Sequence, residues 1–183
     1  AYDSSRKIRL QTEWDEDIKG AVWSEIVAEK IRNQSQLLRE LEKEREADLL
    51  SSYLGQIEAY DATNREGHAA KVYFNALFGM DFTRNADNAT NAALNYGYGI
   101  LLSAFNREIA MSGYLTQVGL FHTNIYNPYN FSCDLMEPYR ALVDRFVLEM
   151  KPTVFEKPEK HAMWNILNSE VKIANMTHTV LNS

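Results

Sequence analysis

From about residue 15 to residue 43, Trp23, Val27, Ile31, Leu38 and Leu41 recur at the spacing of a 3.6-residue repeat. This single apolar stripe predicts one long helix. The polar run at 39–48, RELEKEREAD, reads as a solvated face or a helix junction. Leu50, Tyr53, Leu54 and Ile57 then predict a second, shorter helix. A third is expected to begin near Thr63, with Glu66, Ala69, Ala70, Tyr73 and Leu77 on one face, and to end at Gly79. The fourth runs from about 87 to 111 on a stripe of Leu94, Tyr98, Leu101, Leu102, Phe105 and Ile109. Gly97 and Gly99 weaken that helix and imply that another backbone packs closely there. A fifth spans about 132–150, where Pro138 is tolerated only within the first turn. Pro152 and Pro158 mark a linker, 159–169 predicts a last helix, and 171–173 reads as a short extended piece. No internal repeat or low-complexity segment interrupts this order. The expected class is all-α, with residues 1–183 as one domain.

Composition narrows the possibilities. The 183 residues are 45% hydrophobic and 24% charged, a globular balance with enough apolar chain for a real core. Net charge is −6, which argues against a sequence-independent nucleic-acid binder, whose basic surface does most of the binding; a local basic patch remains compatible. One cysteine, Cys133, excludes an internal disulfide and a cysteine-based zinc cluster, and the cytoplasm is the expected compartment. No charged-then-apolar leader opens the chain. The charge-free runs 88–106 and 109–133 carry too many Asn, Ser, Thr and Gln to span a bilayer, so no membrane partner is expected. The opening residues AYDSSRK lack a methionine and read like mid-protein sequence, so the chain is expected to be a fragment.

The chemistry-bearing stretch is 119–144, GLFHTNIYNPYNFSCDLMEPYRALVD. It places His122 in an Asn- and Tyr-rich loop and follows it with Asp134 and Glu137, whose spacing of three puts both carboxylates on one helical face. Arg140 continues that row. Carboxylates with an imidazole suit a hard or borderline divalent metal that must also bind phosphate oxygens. The competing reading makes Ser132 an N-cap and Asp134 a first-turn acid favoured by the helix dipole. Glu66 carries the same ambiguity. Thr63-Asn64-Arg65-Glu66 fits a capping box, yet Arg65 and Gly67 flank the glutamate, and the alanines one turn on would admit another helix. His68 reads as a surface histidine, and His161 and His178 have no acidic partner at ligand spacing. Tyr73, Tyr96 and Tyr98 are core aromatics whose hydroxyls need partners. The chain has no P-loop, no G-x-G-x-x-G before a helix, no E-x-x-H, no G-x-S-x-G and no H-E-x-x-H, which removes the classes those motifs mark.

Three segments together resemble the CRISPR-associated spacer-acquisition integrase, a metal-dependent DNA endonuclease family. They are NREGHAAKVYF at 64–74, N-x-x-x-N-Y-G-Y-x-x-L at 91–101, and G-x-x-H at 119–122 followed by D-L-M-E-P-Y-R-x-x-x-D at 134–144. The D-L-M-E-P variant and W-S-E-I-V look most like the branch accompanying a single-protein effector nuclease. The resemblance implies a helical catalytic lobe behind an N-terminal β-rich domain, which these 183 residues are expected not to include. It also implies a site in which Glu66, His122 and Glu137 bind Mg²⁺ or Mn²⁺, with Asp134 a supporting or alternate ligand and Arg140 and Arg65 near DNA. The family acts as a homodimer beside a small ferredoxin-like partner protein. It inserts a double-stranded prespacer into the CRISPR leader–repeat by 3′-hydroxyl attack. The readings left beside this one are a helical DNA- or partner-binding domain that keeps the site without catalysis, and a metal-dependent nuclease that does not integrate.

Overall fold

The structure is a computed structural model describing residues 2–164 and the backbone of 170–173 and 176–179. Its helices are α1 (Tyr2–Thr12), α2 (Glu16–Glu40), α3 (Glu44–Tyr53), α4 (Arg65–Phe78), α5 (Ala89–Met111), α6 (Asn130–Met136), α7 (Arg140–Met150) and α8 (Lys157–Met163). A short antiparallel hairpin, β1 (Glu170–Ile173) with β2 (Met176–Thr179), is the one sheet among the described residues. The class is all-α, as the periodicity predicts, and the extended piece at 171–173 falls on β1. None of the described helices is long and apolar enough to cross a membrane.

The long central helix is α2. Asp15 caps it, its carboxylate accepting from the Asp17 amide at 2.8 Å. The predicted stripe Trp23, Val27, Ile31 and Leu38 is almost wholly buried, with Leu41 at the C-cap partly so. Each such large side chain contributes roughly 1.5–3 kcal/mol by leaving water. The charged run 39–48 is the junction between α2 and α3. Around α2 pack α3, α4, α6, α7 and the 3₁₀ turns Ala59–Asp61 and Glu137–Tyr139. One core gathers Trp23, Ile31, Leu38, Leu50 and Tyr73; a second gathers Leu94, Leu101, Val143, Val147 and Met163 between α5, α7 and α8.

Several local expectations are corrected. The fifth helix is two, because Pro138 sits in a 3₁₀ turn (Glu137–Tyr139) that separates α6 from α7. Asp134 lies in α6 and pairs with His122, whereas Glu137 lies in the turn and reaches Lys30. Ser132 is not an N-cap: it lies inside α6 and its hydroxyl donates to Asn106. Gly97 does mark a close approach, but by side chains rather than a backbone, since a Cβ there would overlap Val143 Cγ1 and Met163 Cε, and Gly99 faces open space. Gly79 ends α4 at φ +102°, as expected. The last helix begins at Lys157, earlier than 159, with Pro158 in its first turn where it is tolerated. Residues 165–169 of that prediction lie outside the described residues. The opening helix α1 was not predicted. Its Ile8 is half-buried and its Leu10 exposed, and Gln11, a polar residue, is the one fully buried.

Candidate active site

The site begins with a lysine on the buried side of α2. Lys30 lies seven residues, two turns, after Trp23 and so shares the core-facing stripe. Its ammonium reaches Glu66 Oε1 on α4 and Glu137 Oε2 in the 3₁₀ turn, each at 2.5 Å, and the side chain is only 12% exposed. Burial works against the lysine charge, but Glu137 and Glu66 more than offset it and hold its pKa above the ordinary value. Burial pushes Glu137 up, and Lys30 and Arg140 outweigh it, so Glu137 stays ionised below the usual carboxylate range. Arg140 takes the other oxygen of Glu137, Nη2 to Oε1 at 2.8 Å, and lies 4.6 Å over the Tyr98 ring.

Glu66 is free to make that contact because α4 is capped by other groups. Asn64, in the left-handed region at φ +53°, accepts from the Gly67 amide through its side chain. The Asp61 carboxylate accepts from the amides of Arg65 at 2.8 Å and Glu66 at 2.9 Å. Thr63, the supposed capping-box residue, donates its hydroxyl to Gln56 O instead. The capping-box reading of Glu66 is therefore overturned: its carboxylate turns to Lys30. Arg65 places its guanidinium 5.9 Å from the Tyr53 ring centre and bonds Thr63 through Nε.

His122 is held from behind. Asp134, fully buried in α6, accepts from the amides of Leu120, Phe121 and His122 and pairs with His122 Nδ1 at 2.6 Å. The loop needs Gly119, where a Cβ would crowd the Asp134 carboxylate at 2.7 Å. Asn130 ties the same loop down through Gln117 O and Asn124 O, and Gln11 of α1 bonds Leu115 and Val118. Trp23 stacks on Phe121 at 4.4 Å and meets the His122 ring edge-on at 5.9 Å. The hydrogen bond that His122 donates to Asp134 raises the His122 pKa against the opposing effect of burial, and Asp134, Glu137 and Glu66 add to it by their charge. With Nδ1 turned to Asp134, Nε2 is the nitrogen left for a ligand or a proton.

Behind this row, Asp144 accepts from Tyr73 at 2.9 Å and from Tyr98, so the tyrosine hydroxyls predicted to need partners share one carboxylate. Burial pushes the Asp144 pKa up to about 6. Tyr96 packs instead against Phe155, and His68 and His161 are exposed; the His178 side chain lies outside the described residues.

The structure thus brings Glu66 and Glu137 onto one cation, sets His122 on Asp134, and draws Arg140 onto Glu137. Sequence reading missed Lys30, Asp61 and Gln11. For Lys30 the signal was a lysine on an otherwise apolar stripe. Among the described residues, no three His, Cys, Asp or Glu side chains form a ready ligand group; Lys30 stands between the glutamates. The donor set still fits a hard divalent cation, because two carboxylates already share a cation and an imidazole beside them is oriented by a buried acid.

A family model described as CRISPR associated protein Cas1 matches residues 2–163. The chain is 41% identical over 143 residues to a CRISPR-associated endonuclease Cas1 of Neisseria meningitidis serogroup C (strain 8013), covering 78% of this chain and 47% of that protein. It thus spans about half the length of the curated relatives it matches. Two solved structures share the fold: a casposase bound to integration product, with TM-score 0.77 and 19% identity over 96% of this chain and 64% of that one, and a partial Cas6-RT-Cas1–Cas2 complex, with TM-score 0.73 and 23% identity over 82% and 51%. On its matched residues and on this relative, the chain belongs to the family of CRISPR-associated Cas1 proteins.

Proposed function

We propose that residues 1–183 are the α-helical catalytic lobe of a metal-dependent DNA endonuclease and integrase that inserts new spacers into a CRISPR array. The observation that carries this reading is the convergence of Glu66 and Glu137 on one cation, with His122 fixed by Asp134. Glu66, His122 and Glu137 would hold Mg²⁺ or Mn²⁺, which when bound supplies the Lewis acidity that phosphodiester chemistry needs. In the proposed reaction a prespacer 3′-hydroxyl attacks the leader–repeat phosphorus. A new P–O bond forms as the bond to the leaving 3′-oxygen breaks, and the hydroxyl proton passes through solvent to that oxygen. Asp134 keeps the His122 ring in the tautomer that leaves Nε2 open. Arg140 and Arg65 are assigned to phosphates of double-stranded DNA, Arg140 also holding Glu137 in place. The homodimer and the small ferredoxin-like partner rest on family membership and on a fold shared with a Cas1–Cas2 complex.

One observation favours the reading of a binding domain that keeps the site as architecture: Lys30 and Arg140 already neutralise Glu137. A non-integrating nuclease is the remaining choice. Glu66→Ala separates them. Because Asn64 and Asp61 cap α4 and Glu137 still pairs with Lys30, Glu66→Ala should leave the fold intact, while strand transfer and cleavage should fall on the order of a hundredfold or more. Strand transfer at the wild-type rate in Glu66→Ala, or in a strong chelator, would sink the proposal. Cleavage without transfer in the wild-type protein would leave the nuclease reading.

A further inference from the structure

We infer that Lys30 is the resident counter-cation of this site: its ammonium holds Glu66 and Glu137 together without metal, and it must leave that position for a divalent cation to bind. This rests on the reading of Glu66, His122 and Glu137 as a metal site.

Lys30 Nζ is 2.5 Å from one oxygen of each glutamate, and the side-chain exposures are 12% for Lys30, 27% for Glu66 and 6% for Glu137. An ammonium has three donors and no acceptor, so it can bridge two carboxylates but offers nothing to a second cation. With Nζ 2.5 Å from one oxygen of each glutamate, the ammonium occupies the position from which a Mg²⁺ ion, which needs its oxygens at about 2.0–2.1 Å, would reach both, and two cations repel each other there. The second oxygen of Glu137 is engaged by Arg140 at 2.8 Å. The Glu137 oxygen left for an ion is therefore the one Lys30 holds, and the same ammonium holds Glu66 Oε1. Without a cation there, two carboxylates, one of them nearly buried, would confront each other as like charges. The long, unbranched stem of lysine lets the ammonium swing away without moving α2, which a planar arginine fork does less readily. Lys30 is thus a positioning residue. It keeps the two glutamates from α4 and the 3₁₀ turn in register until the metal arrives, and its departure is part of the cost of metal binding.

The test uses the protein in its full natural length with Mn²⁺ alone as the probe. Mn²⁺ affinity is measured by calorimetry for wild type, Lys30→Met, Lys30→Arg and Glu66→Gln, and each variant is melted with and without the ion. Lys30→Met should bind Mn²⁺ more tightly by about tenfold, the scale on which two coupled ligands affect each other. It should also melt lower without metal and gain more from Mn²⁺ than wild type does. Lys30→Arg should stay near the wild-type affinity or bind more weakly. Equal or weaker Mn²⁺ binding in folded Lys30→Met would overturn the inference while leaving the metal site intact. If Lys30→Met does not fold, the lysine ammonium resonances of the wild-type protein decide. One protected signal must move in step with Mg²⁺ occupancy, and a Lys30 signal indifferent to saturating Mg²⁺ overturns the exchange. Wild-type binding that is absent, or unaffected by Glu66→Gln, would overturn the metal reading and this inference together.

Discussion

Among the described carboxylates, Asp144 is the one whose pKa is held well above its ordinary range. Its carboxyl, 1% exposed and bonded by Tyr73 and Tyr98, titrates at about 6 in the folded chain against 3.8 for an ordinary aspartate. The folded state binds this proton more readily than the unfolded state. Its contribution to stability is therefore complete below about pH 4, declines as pH rises, and is gone above about pH 6. The total is about 3 kcal/mol. Carboxylates lowered by partners, Glu137 among them, push the opposite way, so the comparison that isolates Asp144 is wild type minus Asp144→Asn across pH. We expect that difference to shrink steadily between pH 4 and 6 and to vanish or reverse at pH 7. A constant difference would assign the stability to the tyrosine hydrogen bonds alone. Arg140 is the other residue with a divided allegiance, being 29% exposed while bound to Glu137. If it also contacts one phosphate, Arg140→Ala should reduce the log–log salt slope of DNA binding by about 1. An unchanged slope with a lower melting temperature would confine it to the Glu137 pair. Glu66, His122, Asp134 and Glu137 were legible because they sit in local motifs. Lys30 was not, since it lies 36 residues from Glu66 and 107 from Glu137, and only folding brings them together.

Among the elements, α5 offers two glycines whose sequence contexts look alike and whose surroundings do not. At Gly97 an added methyl would overlap Val143 and Met163; at Gly99 it would meet nothing. Helix propensity favours alanine at both by roughly 0.5–1 kcal/mol. Gly99→Ala should therefore stabilise the protein by about that much. Gly97→Ala should destabilise it by about 1–3 kcal/mol, because Val143 belongs to the second core and cannot move aside. Chemical denaturation of the two variants checks both signs, and equal effects would show that α7 and α8 do not press on α5 as described. The same contrast explains why some elements were readable and others not. Helices with an apolar stripe, α2 and α5 above all, announce themselves through the 3.6-residue period. Helix α1 buries Gln11 instead of an apolar face, and its role in fastening the loop before His122 is written in hydrogen bonds to Leu115 and Val118. The turn that splits α6 from α7 was signalled by Pro138, whereas the bond from Lys30 of α2 to Glu137 in that turn is non-local and was not.

At the scale of the whole molecule, the two packed cores place four separate stretches around one point: α2, the start of α4, the loop at 119–122 and the turn at 137–139. No one of them is a site alone. A net charge of −6 means that attraction for DNA has to be local, and in the proposed reading Arg140, Arg65 and a cation among Glu66, His122 and Glu137 would supply it. The chain spans about half the length of its curated relatives, and activity is accordingly measured with the protein in full natural length and with its proposed partner present. The most direct measurement is a double-mutant cycle on strand transfer at saturating metal, using wild type, His122→Ala, Glu137→Ala and the double variant. Groups that hold one ion act as a unit and are strongly non-additive. A shared metal predicts that either single change abolishes most of the rate and that the double variant is scarcely slower than the worse single one. Losses that add in free energy would contradict it, leaving His122 and Glu137 with independent roles.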